Sequence, residues 1–317
     1  MRVVYSPLYH IDIGAHVFPT IKYQRLHREL QTSGLWTFVQ PELATWEDLA
    51  LVHTREYLHK LQTGDLTTEE IAQLELPWAP QIVEGFRLMT GGTVLAARHA
   101  LETPAAPHDS AMGWRSSAGI GLHLGGGFHH AFANHGEGFC LFNDVAVAIR
   151  VLQRERRLTR AAVVDCDVHH GNGTAMIFDL DPSVFTFSIH QQHNYPAFKP
   201  RSSLDVGVDN RLQNVEYLSR LRQALPKVLA FEPEIVFYLA GADPYEDDQL
   251  GGLALTIEGL RERDRLVFSV CRVAGVPVVL TLAGGYARQL EDTIAIHRAS
   301  FDAALEVFGP GEKDARV

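Results

Sequence analysis

Short apolar runs alternate along this chain with longer amphipathic stretches, and that alternation constrains the fold more than any other feature. Runs 2–5, 161–167, 184–189, 235–240 and 278–282 are almost continuously apolar. A strand reads that way when both of its faces are covered, because neither face meets water. Segments 46–61, 90–102, 144–157, 215–230 and 256–274 carry helical periodicity. Thr45 and Thr256 suit helix N-caps, and Gly275 followed by Pro277 stops the last helix. This order predicts βαβ units: an α/β fold with one open parallel sheet and helices on both faces. Ligands in such sheets bind at the carboxyl ends of the strands, so chemistry is expected where the runs end.

Composition narrows the setting. With 317 residues and 46% hydrophobic content the chain can bury a large core. Linkers, repeats and low-complexity tracts are missing, so we expect a single domain over 1–317, with a loose tail at 310–317. A net charge of -10 speaks against a nucleic-acid surface, which needs clustered Lys and Arg. Three separated cysteines, Cys140, Cys166 and Cys271, make neither a disulfide framework nor a thiolate zinc site. A reducing cytoplasm is the natural compartment. The N-terminus does not read as a signal peptide, and the apolar runs are too short to span a bilayer.

The run 161–167 ends in Asp165-Cys166-Asp167-Val168-His169-His170-Gly171-Asn172-Gly173. In extended backbone, residues i, i+2 and i+4 share a face. That aligns Asp165, Asp167 and His169 at a strand end. Carboxylate oxygens with one imidazole suit Zn(II), and also Fe(II). The bland alternative is a loop cluster held by hydrogen bonds. Another run ends in Ala240-Gly241-Ala242-Asp243. Alone, Asp243 reads as a helix cap. Joined to Asp167 and His169 it gives three protein ligands and leaves a position open, as catalytic zinc requires.

Two further strand ends carry candidate acid–base groups. Gly125-Gly126-Gly127-Phe128-His129-His130 sets tandem histidines behind glycines that permit close backbone approach. Their alternative is a pair of surface imidazoles, in a chain with 16 His. Ala283-Gly284-Gly285-Tyr286 presents a phenol able to donate to a developing oxyanion, or else a tyrosine packed over a loop. Gly119-Ile120-Gly121 has the wrong spacing for a dinucleotide loop.

Together these stretches resemble the histone deacetylase and acetoin-utilisation superfamily, which shares its fold with arginases. The resemblance runs from Tyr5-Ser6-Pro7 to Tyr286 and includes Gly136-Glu137-Gly138-Phe139-Cys140-Leu141-Phe142-Asn143-Asp144. It implies zinc ligands Asp167, His169 and Asp243, and proton-shuttling His129 and His130, with His130 the base and then the acid. It implies that Asp165 orients His129 and that Tyr286 polarises the scissile carbonyl. Gly138 and Phe139 match the tunnel, with Tyr195 on its opposite wall. It also implies a structural K+ near Asp165, Asp167, the His169 main chain and Ser188.

Many members carry Asp where this chain has Asn172, the partner of His130. A neutral amide orients the imidazole without stabilising imidazolium by charge. Asn here is a class II and class IV pattern, and Asp243-Pro244-Tyr245-Glu246-Asp247-Asp248-Gln249-Leu250-Gly251-Gly252 looks most like class IV and its bacterial relatives. The implied reaction is amide hydrolysis releasing acetyl or longer fatty acyl groups from lysine of a peptide or protein. Polyamine deacetylases of the superfamily place an acidic gatekeeper where the apolar Leu250 stands, which favours acyl-lysine and leaves small acylated amines as the alternative substrate. A non-catalytic acyl-lysine reader has no need of the acid–base set. An arginase-like enzyme needs a second Asp-rich set that the sequence does not offer. Oligomeric state is not encoded in these motifs.

Overall fold

The computed structural model describes residues 1–102 and 118–309, so the tail expected at 310–317 lies outside the described residues. Among these, one sheet has eight strands: β1 (Arg2–Val4), β2 (Thr37–Val39), β3 (Ile120–His123), β4 (Ala161–Asp165), β5 (Val184–Gln191), β6 (Leu204–Val208), β7 (Ile235–Leu239) and β8 (Val278–Thr281). Their order is β2-β1-β3-β8-β7-β4-β5-β6, and every neighbouring pair is parallel. Strands β4, β7 and β8 are buried at every position, which is why their sequences lack alternation.

Two helix groups cover the sheet. Helix Pro80–Glu102 packs on Asp144–Arg154 and on β1, β3 and β8. Helix Ile257–Ala274 packs between Asn214–Ala230 and Leu290–Phe308, and the last of these meets Ile21–Thr32. The result is the expected α/β architecture, with a parallel sheet between helical layers.

Local expectations fared unevenly. Thr45 and Thr256 do cap helices, accepting from the N–H groups of Asp48 and Gly259. Gly275 ends its helix at φ 70. The helix expected at 46–61 breaks into Trp46–Leu49 and Arg55–Thr63. Thr54 caps the second piece, and the intervening His53 ring bonds Phe132 O at 3.0 Å and the Asn143 N–H at 3.1 Å. Those tertiary bonds outweigh the helical period. The helix expected from 90 starts at Pro80 and runs through Gly91 and Gly92. Gly91 is needed there because a Cβ would lie 1.9 Å from Glu42 O.

Strands β2, β3 and β6 were not foreseen. β3 hides behind Gly121, whose missing Cβ lets Ala96 O approach; a Cβ there would lie 1.9 Å from that oxygen. β2 and β6 are the sheet's edges, only partly buried, and carry little apolar signal.

Candidate active site

Four adjacent strands, β3, β8, β7 and β4, deliver the expected groups from their carboxyl ends. His129 and His130 follow β3, Tyr286 follows β8, Asp243 follows β7, and Asp165 ends β4.

Beyond β4 the chain departs from the pleat. The strand stops at Asp165, short of the expected 167. Asp165 Oδ1 accepts the Asp167 N–H at 3.1 Å, and Asp167 Oδ1 accepts the His169 N–H at 2.9 Å. Two successive Asx turns, not an extended segment, therefore gather Asp165, Asp167 and His169.

Ligand-type atoms of Asp167, His169 and Asp243 lie within 4.8 Å of one another, and all three residues are buried. Asp167 Oδ2 accepts the Gly284 N–H at 2.8 Å, and Asp243 Oδ1 accepts the Val168 N–H at 2.9 Å. Asp243 Oδ2 has no hydrogen-bond partner. A Cβ on Gly284 would come within 2.0 Å of that oxygen and 2.6 Å of Asp167 Oδ2, so only glycine leaves the space between the carboxylates open. Burial and then the Asp167 charge push the Asp243 carboxyl up to about 7. A divalent cation would remove that repulsion and satisfy the orphaned oxygen. The donor set thus fits a zinc-sized ion. A second group, His170, His190 and Asp205, also converges. Two of its nitrogens bond within the protein, His170 Nε2 to Asp205 at 3.1 Å and His190 Nδ1 to Ser188 at 3.0 Å, while the buried His170 Nδ1 has no partner. It shares no residue with the first group, so it makes no bridged pair.

Each tandem histidine has its own oxygen partner. His129 Nδ1 lies 2.6 Å from Asp165 Oδ2, and His130 Nδ1 lies 2.7 Å from Asn172 Oδ1. Burial lowers the His129 pKa, but the charges of Asp165 and Asp167 outweigh it and raise it to about 9. Burial, then the neighbouring His129 and His169, hold His130 well below the ordinary range, and the Asn172 hydrogen bond offsets only part of this. The two rings are thus driven apart: the carboxylates favour the cationic form of His129, and the surroundings favour the neutral form of His130. The turn ahead of them is pinned by the buried Asp144, which accepts the N–H groups of Gly127 and Phe128. Gly127 stands at φ 87, and its missing Cβ leaves room for the Ala283 backbone.

A cavity of about 240 Å3 leads to His169 and Tyr286, with Gly138, Phe139, Tyr195 and Leu250 in its walls. Gly138, Phe139 and Tyr195, expected at the tunnel, thus share one cavity with Leu250, expected at the gatekeeper position. Phe139 stacks on Phe18 and meets Tyr286 edge-on, at centroid distances of 6.1 and 5.9 Å. Tyr195 stands edge-on to His130 at 5.0 Å. A smaller inner space adjoins it, lined by His129, His130, Asp167 and Gly284 as well as Tyr286.

Several contributing residues were missed. Glu137, inside a recognised stretch, bonds Asn172 Nδ2 at 2.6 Å and Tyr195 OH at 2.9 Å. Burial raises its pKa, yet hydrogen bonds from His135, Asn172, Gln73 and Tyr195 hold it down to about 2. Asp248 carries the Tyr286 N–H. Glu75 joins the cavity wall from a residue at φ 58, and no periodicity marks it. Lys22 is buried, donates to Ala283 O at 3.0 Å and faces the acidic cluster, with burial lowering its pKa to about 8. A lysine in an amphipathic helix gives no sequence sign of such a place.

A parallel sheet whose strand ends gather three carboxylates, three histidines and a tyrosine under a narrow cavity is an α/β protein of the arginase/deacetylase class. Residues 16–300 match the histone deacetylase domain model. The chain is 39% identical to an uncharacterised protein of Picosynechococcus sp., covering 96% of this chain and 99% of that one. It is 30% identical to histone deacetylase 2 of Arabidopsis thaliana, over 93% of this chain and 77% of that protein. The crystal structure of the HDA15 HD domain superposes with a TM-score of 0.76 at 23% identity, covering 99% and 92% of the two chains. An acetylpolyamine aminohydrolase from Burkholderia pseudomallei gives 0.75 at 20%, covering 97% and 99%; both likenesses speak to the fold. The chain belongs to the histone deacetylase family.

Proposed function

We propose that this protein is a zinc-dependent deacylase that hydrolyses the amide of acyl-lysine, releasing acetyl or longer fatty acyl groups. The observation that carries the reading is the convergence of Asp167, His169 and Asp243 at the foot of the cavity that Tyr286 also lines. Those three residues would hold the ion. Zinc bound there would supply a Lewis acid for the acyl carbonyl and would acidify a water molecule. Asp165 and Ser188, named by the family resemblance for a structural K+, are register partners across β4 and β5.

His130, kept neutral, has Nε2 free of Asn172 and takes the proton of the attacking water. Tyr286 donates its phenol hydrogen to the oxygen on which charge develops. His129, held cationic by Asp165, favours that negative charge. Protonated His130 then returns its proton to the departing amine, which leaves neutral. Phe139 and Tyr195 enclose the lysine stem and limit water. The likeness to class IV deacetylases of the 243–252 loop favours the same reading.

Glu75 in the cavity wall favours a second substrate class, small acylated amines with a distant cation. Hydrolysis of fluorogenic lysine peptides carrying acetyl, trifluoroacetyl, octanoyl and myristoyl groups tests the proposal, with zinc-loaded protein run beside Tyr286→Phe. Zinc-dependent turnover that falls in the variant is expected. Silence on all of them, with turnover of acetylspermidine, would move the assignment to small amines.

A further inference from the structure

An amide beside a catalytic imidazole poses a problem that a carboxylate does not. A carboxylate offers only acceptors, so a histidine nitrogen facing it must carry a proton. An asparagine offers an acceptor on one side and donors on the other. Rotated by half a turn, Asn172 would present its NH2 group to His130 Nδ1. The imidazole would then carry its proton on Nε2, and the nitrogen that faces the reaction would no longer be a base. Something must choose between the two orientations.

We propose that Glu137 is the positioning residue that locks the Asn172 amide and thereby the tautomer of His130. The claim rests on the reading of His130 as the base. Asn172 is 2% exposed, and its Nδ2 donates to Glu137 Oε1 at 2.6 Å. Its Oδ1 lies 2.7 Å from His130 Nδ1. A carboxylate accepts only, so the NH2 group must face Glu137 and the carbonyl must face His130. The carbonyl in turn obliges Nδ1 to carry the hydrogen. A flipped amide would set its oxygen against Oε1 at that short separation, with two acceptors and no hydrogen between them.

Glu137 is itself fixed. Tyr195 OH donates to the same Oε1 at 2.9 Å, Gln73 Nε2 donates to Oε2 at 3.0 Å, and His135 Nε2 lies 3.6 Å from Oε2. The backbone around it is tied as well: Glu137 and Cys140 exchange both N–H groups, and Gly138 and Phe139 bond to Gln73 and Leu74. One side chain thus sets the proton position on the base and holds the aromatic wall that stands over it.

The test reads the tautomer directly. Histidine labelled with 15N is incorporated into the zinc-loaded protein, and the His130 resonances are assigned by their loss in His130→Ala. Long-range 1H–15N correlation then reports which nitrogen carries hydrogen. Wild type and Glu137→Gln, whose side-chain oxygen can still accept from Asn172, show hydrogen on Nδ1. Glu137→Met shows a mixture or hydrogen on Nε2. Its kcat on an acyl-lysine peptide falls by about tenfold or more, with a much smaller change in KM, because general-base catalysis is worth roughly 10²–10⁴-fold. A carboxylate at position 172 removes the orientation problem, so Asn172→Asp/Glu137→Met shows hydrogen on Nδ1 and loses no kcat relative to Asn172→Asp/Glu137→Gln, the reference that avoids two facing carboxylates. Tyr195→Phe, which removes only the wall's bond to Glu137, leaves the tautomer unchanged.

Hydrogen remaining on Nδ1 in Glu137→Met overturns the proposal, and so does an equal loss of kcat in both backgrounds. Should Glu137→Met not fold, Glu137→Leu in the Asn172 and Asn172→Asp backgrounds carries the same comparison. A tautomer that moves while kcat stays constant keeps the lock and removes His130 as the base, which is a failure of the proposed mechanism instead.

Discussion

The backbone N–H of Tyr286 donates to Asp248 Oδ2 at 2.7 Å. The other oxygen of that carboxylate takes the N–H groups of Leu250 and Gly251, each at 2.8 Å. One side chain ties the turn that carries the phenol to the loop that carries a cavity wall.

Asp248→Ala should therefore lower both stability and turnover. A hydrogen bond to a charged group contributes roughly 1.5–3 kcal/mol, and three are lost together. Tyr286→Phe should differ, with kcat down by about 10²–10³-fold and Tm near wild type. Thermal melts beside steady-state kinetics separate the two, and an Asp248→Ala protein with wild-type kcat would refute the tie.

Asp243→Asn preserves the acceptor for Val168 and removes the charge at the orphaned oxygen. Zinc retained after dialysis, measured by mass spectrometry of the metal, should fall from about one per chain toward zero. Added zinc should restore chelator-treated wild type but not the variant. Full metal content in Asp243→Asn would exclude it as a ligand.

The base must be neutral to work, and burial holds the His130 pKa low. A carboxylate at position 172 would favour imidazolium and raise that pKa, so the acidic limb of kcat/KM should move to higher pH. From sequence alone Asn172→Asp suffices for this test. The 2.6 Å contact with Glu137 would then set two carboxylates against each other, so Glu137→Gln/Asn172→Asp is the cleaner variant, compared with Glu137→Gln. An unmoved limb would remove the charge argument.

Leu250 in the cavity wall sets the last prediction. Leu250→Glu adds a second carboxylate to the cavity that Glu75 also lines and should raise kcat/KM for acetylspermidine relative to an acetyl-lysine peptide by about tenfold, which corresponds to ~1.4 kcal/mol. A constant ratio would mean that this wall does not read substrate charge.

Much of the site was legible in the sequence because its parts are local. Gly126–His130, the 165–173 segment and Ala283–Tyr286 each set side chains at a strand end with glycines that allow the turn. The apolar runs gave the parallel sheet through burial on both faces. The edge strands β2 and β6 were not legible, since half-exposed edges need no apolar run. Helix 46–61 was over-read because His53 makes its bonds to residues far along the chain.

By itself the sequence determined which chemical groups exist and on which short segments they ride, because periodicity, glycine placement and motif spacing act over a few residues. Tertiary structure alone decided how those segments meet. Asp243 joins Asp167 and His169 because β4 and β7 are neighbours. Asn172 keeps one orientation because Glu137, 35 residues away, closes on its amide. Hydrogen bonds and charge pairs fall off within a few ångströms, so partners distant in the chain act only once the sheet has brought them together.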